Sequence, residues 1–228
     1  MTTYFILTKE DILHNEKDQI ININKDLTFI LPRNILNYYA DYGLFENTLI
    51  DWCKTIIGNG VFLDVGAHTG TYSISLADYC THVYSFEPQK MTYYALCGSV
   101  ALSNKKNITC YNTGLGNSQQ VGKQQLKIIS KDGGGSSLHI KNPLKILSEE
   151  TIEIQTLDYY NIQNVTFIKI DVEENELYVL QGALKTLNTK PKILFESNNT
   201  NENLFKYLTD IGYKIVNITR YCNMYLAD

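Results

Sequence analysis

Arginine is almost absent. Of the 20 basic residues in this 228-residue chain, only Arg33 and Arg220 are arginine. The planar forks that clamp phosphates and carboxylates in two places are therefore scarce. Basic residues are outnumbered by 24 acids, for a formal net charge of −4. No bulk positive charge is available to neutralise a phosphate backbone, so no nucleic-acid partner is expected. The five cysteines, Cys53, Cys80, Cys97, Cys110 and Cys222, are odd in number and form no C-x-x-C pair. Neither a disulfide framework nor a zinc site is indicated, and the thiols read as core residues in a reducing compartment. No apolar run approaches the roughly 20 residues needed to span a bilayer. The first residues carry only a short apolar run with acids soon after, so no signal peptide is expected. These absences imply a cytoplasmic protein without a membrane partner. The abundance of Lys, Asn, Ile and Tyr is a signature of an AT-rich genome, and the compartment is the host cytoplasm if that genome is viral.

What is present is a regular alternation of strands and helices. Residues 20–31 read as a small hairpin around Asn24-Lys25-Asp26. Residues 44–57 carry Leu49, Trp52, Cys53 and Ile56 at helical spacing. Strands follow at 61–65, 83–87, 108–112, 165–170 and 192–196. Helices are expected over 71–80, 90–103, 174–187 and 203–211, the third with Leu177, Leu180, Leu184 and Leu187 inward. Two further strands, 124–130 and 151–157, flank a loop containing Gly133-Gly134-Gly135-Ser136-Ser137. The chain closes with strands over 213–218 and 221–226. Short apolar strands alternating with helices mean a mostly parallel sheet covered on both faces. The expected architecture is one α/β, Rossmann-like domain. Residues 1–60 form an N-terminal extension of that domain, and residues 61–228 form the core, with an inserted hairpin at about 120–157.

The first core strand runs into VFLDVGAHTGTYS. Asp64, Gly66 and Gly70 lie on its strand-to-helix turn, and Glu87 ends the next strand, 21 residues after Gly66. Glycines there permit a tight turn and close approach of a ligand to the backbone, and an acid at the second strand end accepts from both hydroxyls of a ribose. The spacing is not the G-x-G-x-x-G of dinucleotide enzymes. An acid two residues before the first glycine suits a ligand with a cationic end better than a pyrophosphate. S-adenosyl-L-methionine, an adenosine bearing a sulfonium and an α-amino group, fits.

Three segments carry a family resemblance. They are VFLDVGAHTGTYS with VYSFEPQ, ETIEIQTLDYY, and FIKIDVEENELYVLQGALKTL. The chain resembles the FkbM-type methyltransferases, a class I S-adenosylmethionine-dependent family. The resemblance implies a seven-stranded sheet of order 3-2-1-4-5-7-6 with an antiparallel strand at one edge. It also implies O-methyl transfer, often to sugar hydroxyls. One departure stands out: where the family commonly has Gly after Asp-Val-Glu, this chain has Glu174.

Ligands of open α/β sheets bind at the carboxyl ends of the strands. Cofactor contacts are accordingly expected from Asp64, Gly66, Ala67, His68, Thr69, Gly70, Glu87, Asn112 and Asp171. Asp64 would orient the methionine end, Glu87 the ribose, and Asn112, with Thr113 and Leu115, the adenine. The acceptor proton needs a base. Glu173 is the first candidate, Asp171 the second and Glu196 the third. Lys169 shares a strand face with Asp171. His68 reads as a hydrogen-bonding loop residue before a base. Glu173 and Glu176 also suit a helix N-terminus. Asp171, Glu196 and Asn198 form a less favoured oxygen-rich set for Mg²⁺. The glycine loop is either a lid part or a plain connection. Arg33, Tyr38, Tyr39, Tyr42 and Glu46 are placed to cover the cofactor.

The reading is an O-methyltransferase acting on a glycan or similar hydroxylated small molecule. The alternatives are an N-methyltransferase on a small amine and a non-catalytic S-adenosylmethionine-binding protein. The oligomeric state and the acceptor sugar are not legible.

Overall fold

The computed structural model describes residues 19–24, 27–31, 38–39, 41–140, 142–197, 201–218 and 223–228. Strands β1 (Gln19–Asn24) and β2 (Leu27–Leu31) pair antiparallel. Their connecting residues, Lys25 and Asp26, lie outside the described residues. Helix α1 (Asn47–Ile56) leads into β3 (Val61–Val65), α2 (Thr71–Leu76), β4 (His82–Phe86), α3 (Lys90–Leu102) and β5 (Ile108–Tyr111). Then come β6 (Gly114–Leu115), β7 (Gly122–Ile128) and β8 (Ser148–Gln155). The chain continues with β9 (Val165–Ile170), α4 (Glu176–Gln181), α5 (Leu184–Leu187), β10 (Lys192–Glu196), α6 (Glu202–Asp210), β11 (Ile215–Asn217) and β12 (Met224–Ala227).

The main sheet has the order β11-β12-β10-β9-β3-β4-β5. Counted along the core, this is the 3-2-1-4-5-7-6 order that the resemblance implies. Strand β12 is antiparallel to both neighbours and sits just inside β11 at that edge. All five residues of β3 are buried, as a central strand covered on both faces requires. Alternate residues serve opposite layers. Phe62, Phe167 and Leu194 pack with Leu49, Ile50, Cys53 and Ile74 on one side. Leu63, Ile168 and Ile193 pack with Leu180, Leu204 and Leu208 on the other. The early hairpin docks on α3: the Thr28 and Ile30 amides each donate to a serine hydroxyl, of Ser103 and Ser99, at 2.9 Å. Cys53, Cys80, Cys97 and Cys110 are free thiols. Among the described residues no helix is long and apolar enough to cross a membrane.

The segment following β5 builds a second sheet. Strand β8 pairs antiparallel with β7 and parallel with β6. Leu126, Ile152 and Ile154 make its small apolar core.

The helix expected over 174–187 is two helices, and the reason is a contact from elsewhere in the chain. At Gly182 a Cβ would overlap the Gly116 carbonyl oxygen. Asp158, the acid of the T-L-D segment, then caps α5, accepting from the Lys185 and Thr186 amides at 2.8 and 3.0 Å. The break shifts the register, so Leu184 is 57% exposed rather than inward, while Leu180 and Leu187 are buried. Gly182→Ala should therefore cost about 1–3 kcal/mol from overpacking. Thermal denaturation should show a fall in Tm of about 2–4 °C per kcal/mol lost.

Candidate active site

The loops at the carboxyl ends of β3, β4, β9 and β10, with the second sheet and the segment before α1, enclose a cavity of about 490 Å³. That size suits a small-molecule ligand. Gly66, Ala67, His68, Glu87, Lys169, Asp171, Glu173 and Glu196 line it.

Gly66 sets the floor. Its φ is 79°, and a Cβ there would overlap the Asp171 carbonyl oxygen, so only glycine lets β3 and β9 end this close together. Glu87 is 3% exposed and its carboxylate is fixed by two backbone amides. Oε2 accepts from His68 N and Oε1 from Gln89 N, each at 2.9 Å. Burial outweighs these bonds and pushes its pKa up to about 7.

Parallel pairing of β3 with β9 sets Asp64 beside Lys169. Asp64 is fully buried. Its Oδ2 accepts from Ser73 Oγ at 2.5 Å, and Ser73 meets Ser85 at 2.7 Å. The Lys169 ammonium stands 3.9 Å from Asp64 Oδ1 and 3.2 Å from Asp171 Oδ2, and donates to the Gly66 carbonyl at 3.1 Å. Burial opposes this charge, but Asp171 and Asp64 outweigh it and raise the Lys169 pKa to about 12.

Around Asp171 lie two more acids. Glu196 shares a hydrogen bond with Asp171, and burial, then the charges of Asp171 and Glu173, push its pKa up to about 7. Glu173 is raised by burial first and by Asp171 second. Glu176 is buried, also pushed up to about 7 by burial, and accepts from the Val172 amide at 3.3 Å. It braces the turn and is not among the lining residues.

The glycine loop between β7 and β8 is both a connection and a wall. Asp132, Gly133, Gly134, Gly135 and Ser136 line the cavity. His68 Nε2 meets the Asp132 carbonyl at 2.7 Å. A carbonyl only accepts, so that nitrogen carries the proton, and the ring works as a fastener. Gln89 Nε2 donates to the Gly133 carbonyl at 2.9 Å and Ser137 Oγ to the Glu173 carbonyl at 2.5 Å.

Four expected cofactor contacts do not face the cavity: Asp64, Thr69, Gly70 and Asn112. The Asp64 carboxylate turns inward to Ser73 and Lys169. Thr69 is buried beside the His68 ring, 3.4 Å from its Nδ1. Gly70 precedes the first residue of α2. Asn112 donates to the Glu87 and Pro88 carbonyls at 3.0 and 2.9 Å, shaping the turn from behind. The apolar wall comes from Thr113, Gly114 and Leu115 together with Leu126, Ile152 and Ile154. The last three were not singled out in the sequence, although alternation in β7 and β8 was their signal. Gln89 was also missed. Tyr38, Tyr39 and Glu46 line the cavity, whereas Tyr42 is exposed beside Tyr38. Arg33 and Asn198 lie outside the described residues. Among the described residues no group of three His, Cys, Asp or Glu is placed to hold a metal ion.

A seven-stranded sheet of this order, with a glycine turn and an acid at its first two strand ends, is the class I methyltransferase architecture. The chain belongs to the methyltransferase FkbM domain family, whose model matches residues 64–215. It is similar to the crystal structure of methyltransferase FkbM from Methylobacillus flagellatus KT, with 19% identity and a TM-score of 0.52 over 75% of this chain and 44% of that one. The chain thus spans less than half the length of that protein. A tRNA (uracil-54, C5)-methyltransferase from Pyrococcus abyssi, solved with S-adenosyl-L-homocysteine, is 13% identical, with a TM-score of 0.51 over 92% of this chain and 44% of that one. Precorrin-6y C5,15-methyltransferase from Geobacter metallireducens is 10% identical, with a TM-score of 0.50 over 82% and 88% of the two chains. No curated protein sequence matches significantly.

The family's glycine position now has a physical meaning. Glu174 holds a φ of 77°, a conformation that costs a side-chain-bearing residue about 1–2 kcal/mol. Glu174→Gly should raise stability by about 0.5–1 kcal/mol after the entropy of glycine is deducted. Calorimetric melting should show a gain of about 1–4 °C. Lys169→Met should do the reverse, because it strands Asp64 as a buried, unpaired charge. A loss of about 3–5 kcal/mol is expected from denaturant titration.

Proposed function

We propose that this protein is an S-adenosylmethionine-dependent methyltransferase that methylates a hydroxyl group of a saccharide or a similar hydroxylated small molecule. The observation that carries the cofactor assignment is the Glu87 carboxylate. It is buried, fixed by two amides and part of the cavity wall beside the Gly66 turn. A carboxylate so held accepts further hydrogen bonds from a ribose diol. The Gly66 backbone gives a ligand close approach. The apolar wall of Leu115, Leu126, Ile152 and Ile154 suits a base. When bound, the cofactor supplies an activated methyl group.

The chain's own contribution is positioning, exclusion of water and removal of a proton. The glycine loop covers one side. Glu196, Glu173 and Asp171 stand together at the other end as candidate bases. Glu196 moves ahead of Glu173 here, because a base poised near neutrality is the effective one. A hydroxyl acceptor is supported by the family resemblance. A small amine is a second reading, favoured by three carboxylates at that end facing a Lys169 ammonium already engaged with Asp64, Asp171 and the Gly66 carbonyl. Net charge and the acidic lining support either acceptor over a nucleic acid. We place the protein in the cytoplasm on the basis of its thiol pattern.

Tritium transfer from labelled cofactor to neutral and amino saccharides, followed by mass spectrometry, tests the reaction. Absence of transfer to every hydroxyl acceptor alongside transfer to amines would overturn the O-methyl assignment. The cofactor assignment has its own test in pH. Ribose binding favours the ionised Glu87, whose pKa is near 7. S-adenosylhomocysteine affinity should therefore be full above that pH and fall by up to about tenfold between pH 8 and 6. In Glu87→Gln the affinity should be lower and this dependence should flatten, as read by titration calorimetry. An unchanged pH profile in the variant would count against the ribose contact.

A further inference from the structure

Asp64 is expected to orient the methionine end of the cofactor through a backbone amide or water, and its own carboxylate is turned into the fold. Its carboxylate is fully buried against Ser73 and Lys169. The cavity still has an acid near that turn, and it comes from outside the matched family region. Glu46 lines the cavity together with Gly66, Thr71, Tyr72 and Lys169.

Several bonds hold Glu46 there. Its carbonyl accepts from the Ile50 amide at 2.9 Å as α1 begins. Its carboxylate Oε2 accepts from the Tyr72 hydroxyl at 2.6 Å. One residue earlier in α2, Thr71 Oγ1 meets the Tyr39 hydroxyl at 2.8 Å. Two consecutive residues of the first turn of α2, Thr71 and Tyr72, thus carry the segment that bears Glu46. A left-handed φ of 54° at Glu46 is maintained by these contacts.

Charge favours a cation at this place. Among the described residues lining the cavity, Lys169 is the one ammonium. It is engaged at close range by Asp64, Asp171 and the Gly66 carbonyl, and Glu46 shares its charge only as a third carboxylate, after those two. Burial, in the first place, holds the Glu46 pKa above its ordinary value, outweighing the Tyr72 hydrogen bond and the Lys169 charge that lower it. A ligand that brings an ammonium group supplies a further cation.

We propose that Glu46 receives the α-ammonium group at the amino-acid end of S-adenosylmethionine. The assignment rests on the cofactor reading above and adds a contact from the segment preceding the core. Titration calorimetry with two ligands tests it. S-adenosylhomocysteine carries the amino-acid end, and 5′-methylthioadenosine lacks it. Glu46→Gln should weaken S-adenosylhomocysteine by about tenfold, the worth of one charge-assisted hydrogen bond. It should leave 5′-methylthioadenosine within about twofold of wild type, which also shows that the variant is folded. Equal losses for both ligands, or no loss for either, would overturn the proposal. If the wild-type protein binds neither ligand, the cofactor reading itself fails, and Glu46 loses its role with it.

Discussion

A single ammonium group ties the two central strands together where the cavity begins. Lys169 Nζ faces Asp64 of β3, Asp171 after β9 and the carbonyl of Gly66. Desolvating a lysine and an aspartate is expensive, and the mutual attraction repays it only when geometry and extra hydrogen bonds are good. Here one oxygen is satisfied: Ser73, itself bonded to Ser85, donates to Asp64 Oδ2, while Oδ1 has no hydrogen-bond partner and faces the Lys169 charge at 3.9 Å, and the Tyr72 ring lies 5.2 Å from the ammonium. A buried pair of this kind contributes more to position than to net stability. It fixes the Gly66 turn against the Asp171 turn, and the carboxylates that follow Asp171 take their places from there.

The β4 side of the cavity depends on a second acid, Glu87. Its oxygens bind the amides of His68 and Gln89. The side chains of those same two residues reach the carbonyls of Asp132 and Gly133. One carboxylate therefore organises the turn after β3, the turn after β4 and, through them, the glycine loop. The loop's composition alone would make it flexible. Three side chains that reach across to it, or from it to the β9 turn, hold it against the cavity instead.

Much of this was legible in the chain. The alternation of elements and the acids at the strand ends follow from hydrophobic period and from motif spacing, because both report backbone geometry directly, whereas the strand order came from the family resemblance. Side-chain direction was harder. Asp64 and Asn112 stand at strand ends as expected, yet one turns inward to a lysine 105 residues away and the other turns back onto carbonyls. Such choices depend on the partner strand's register, which a local pattern does not carry. The broken helix at Gly182 has the same origin. The constraint there is Gly116, brought in by the second sheet. The apolar wall of Leu126, Ile152 and Ile154 was hidden because the inserted hairpin gives no sign of which way its apolar face is turned.

The state of the carboxylates beyond β9 and β10 follows from the same lysine, one step removed. Lys169 pairs with Asp171, so a carboxylate is kept at this end of the cavity. The charge of Asp171, with burial and Glu173, raises Glu196 toward neutrality. In the proposed reaction an acid of ordinary strength would be too weak a base to assist a hydroxyl. A raised one holds an abstracted proton more readily. The arrangement also explains why a cation cannot simply be added beside Glu196. A second lysine there would lower the pKa that burial and the charges of Asp171 and Glu173 raise, and would reduce the basicity on which the proposed proton transfer depends.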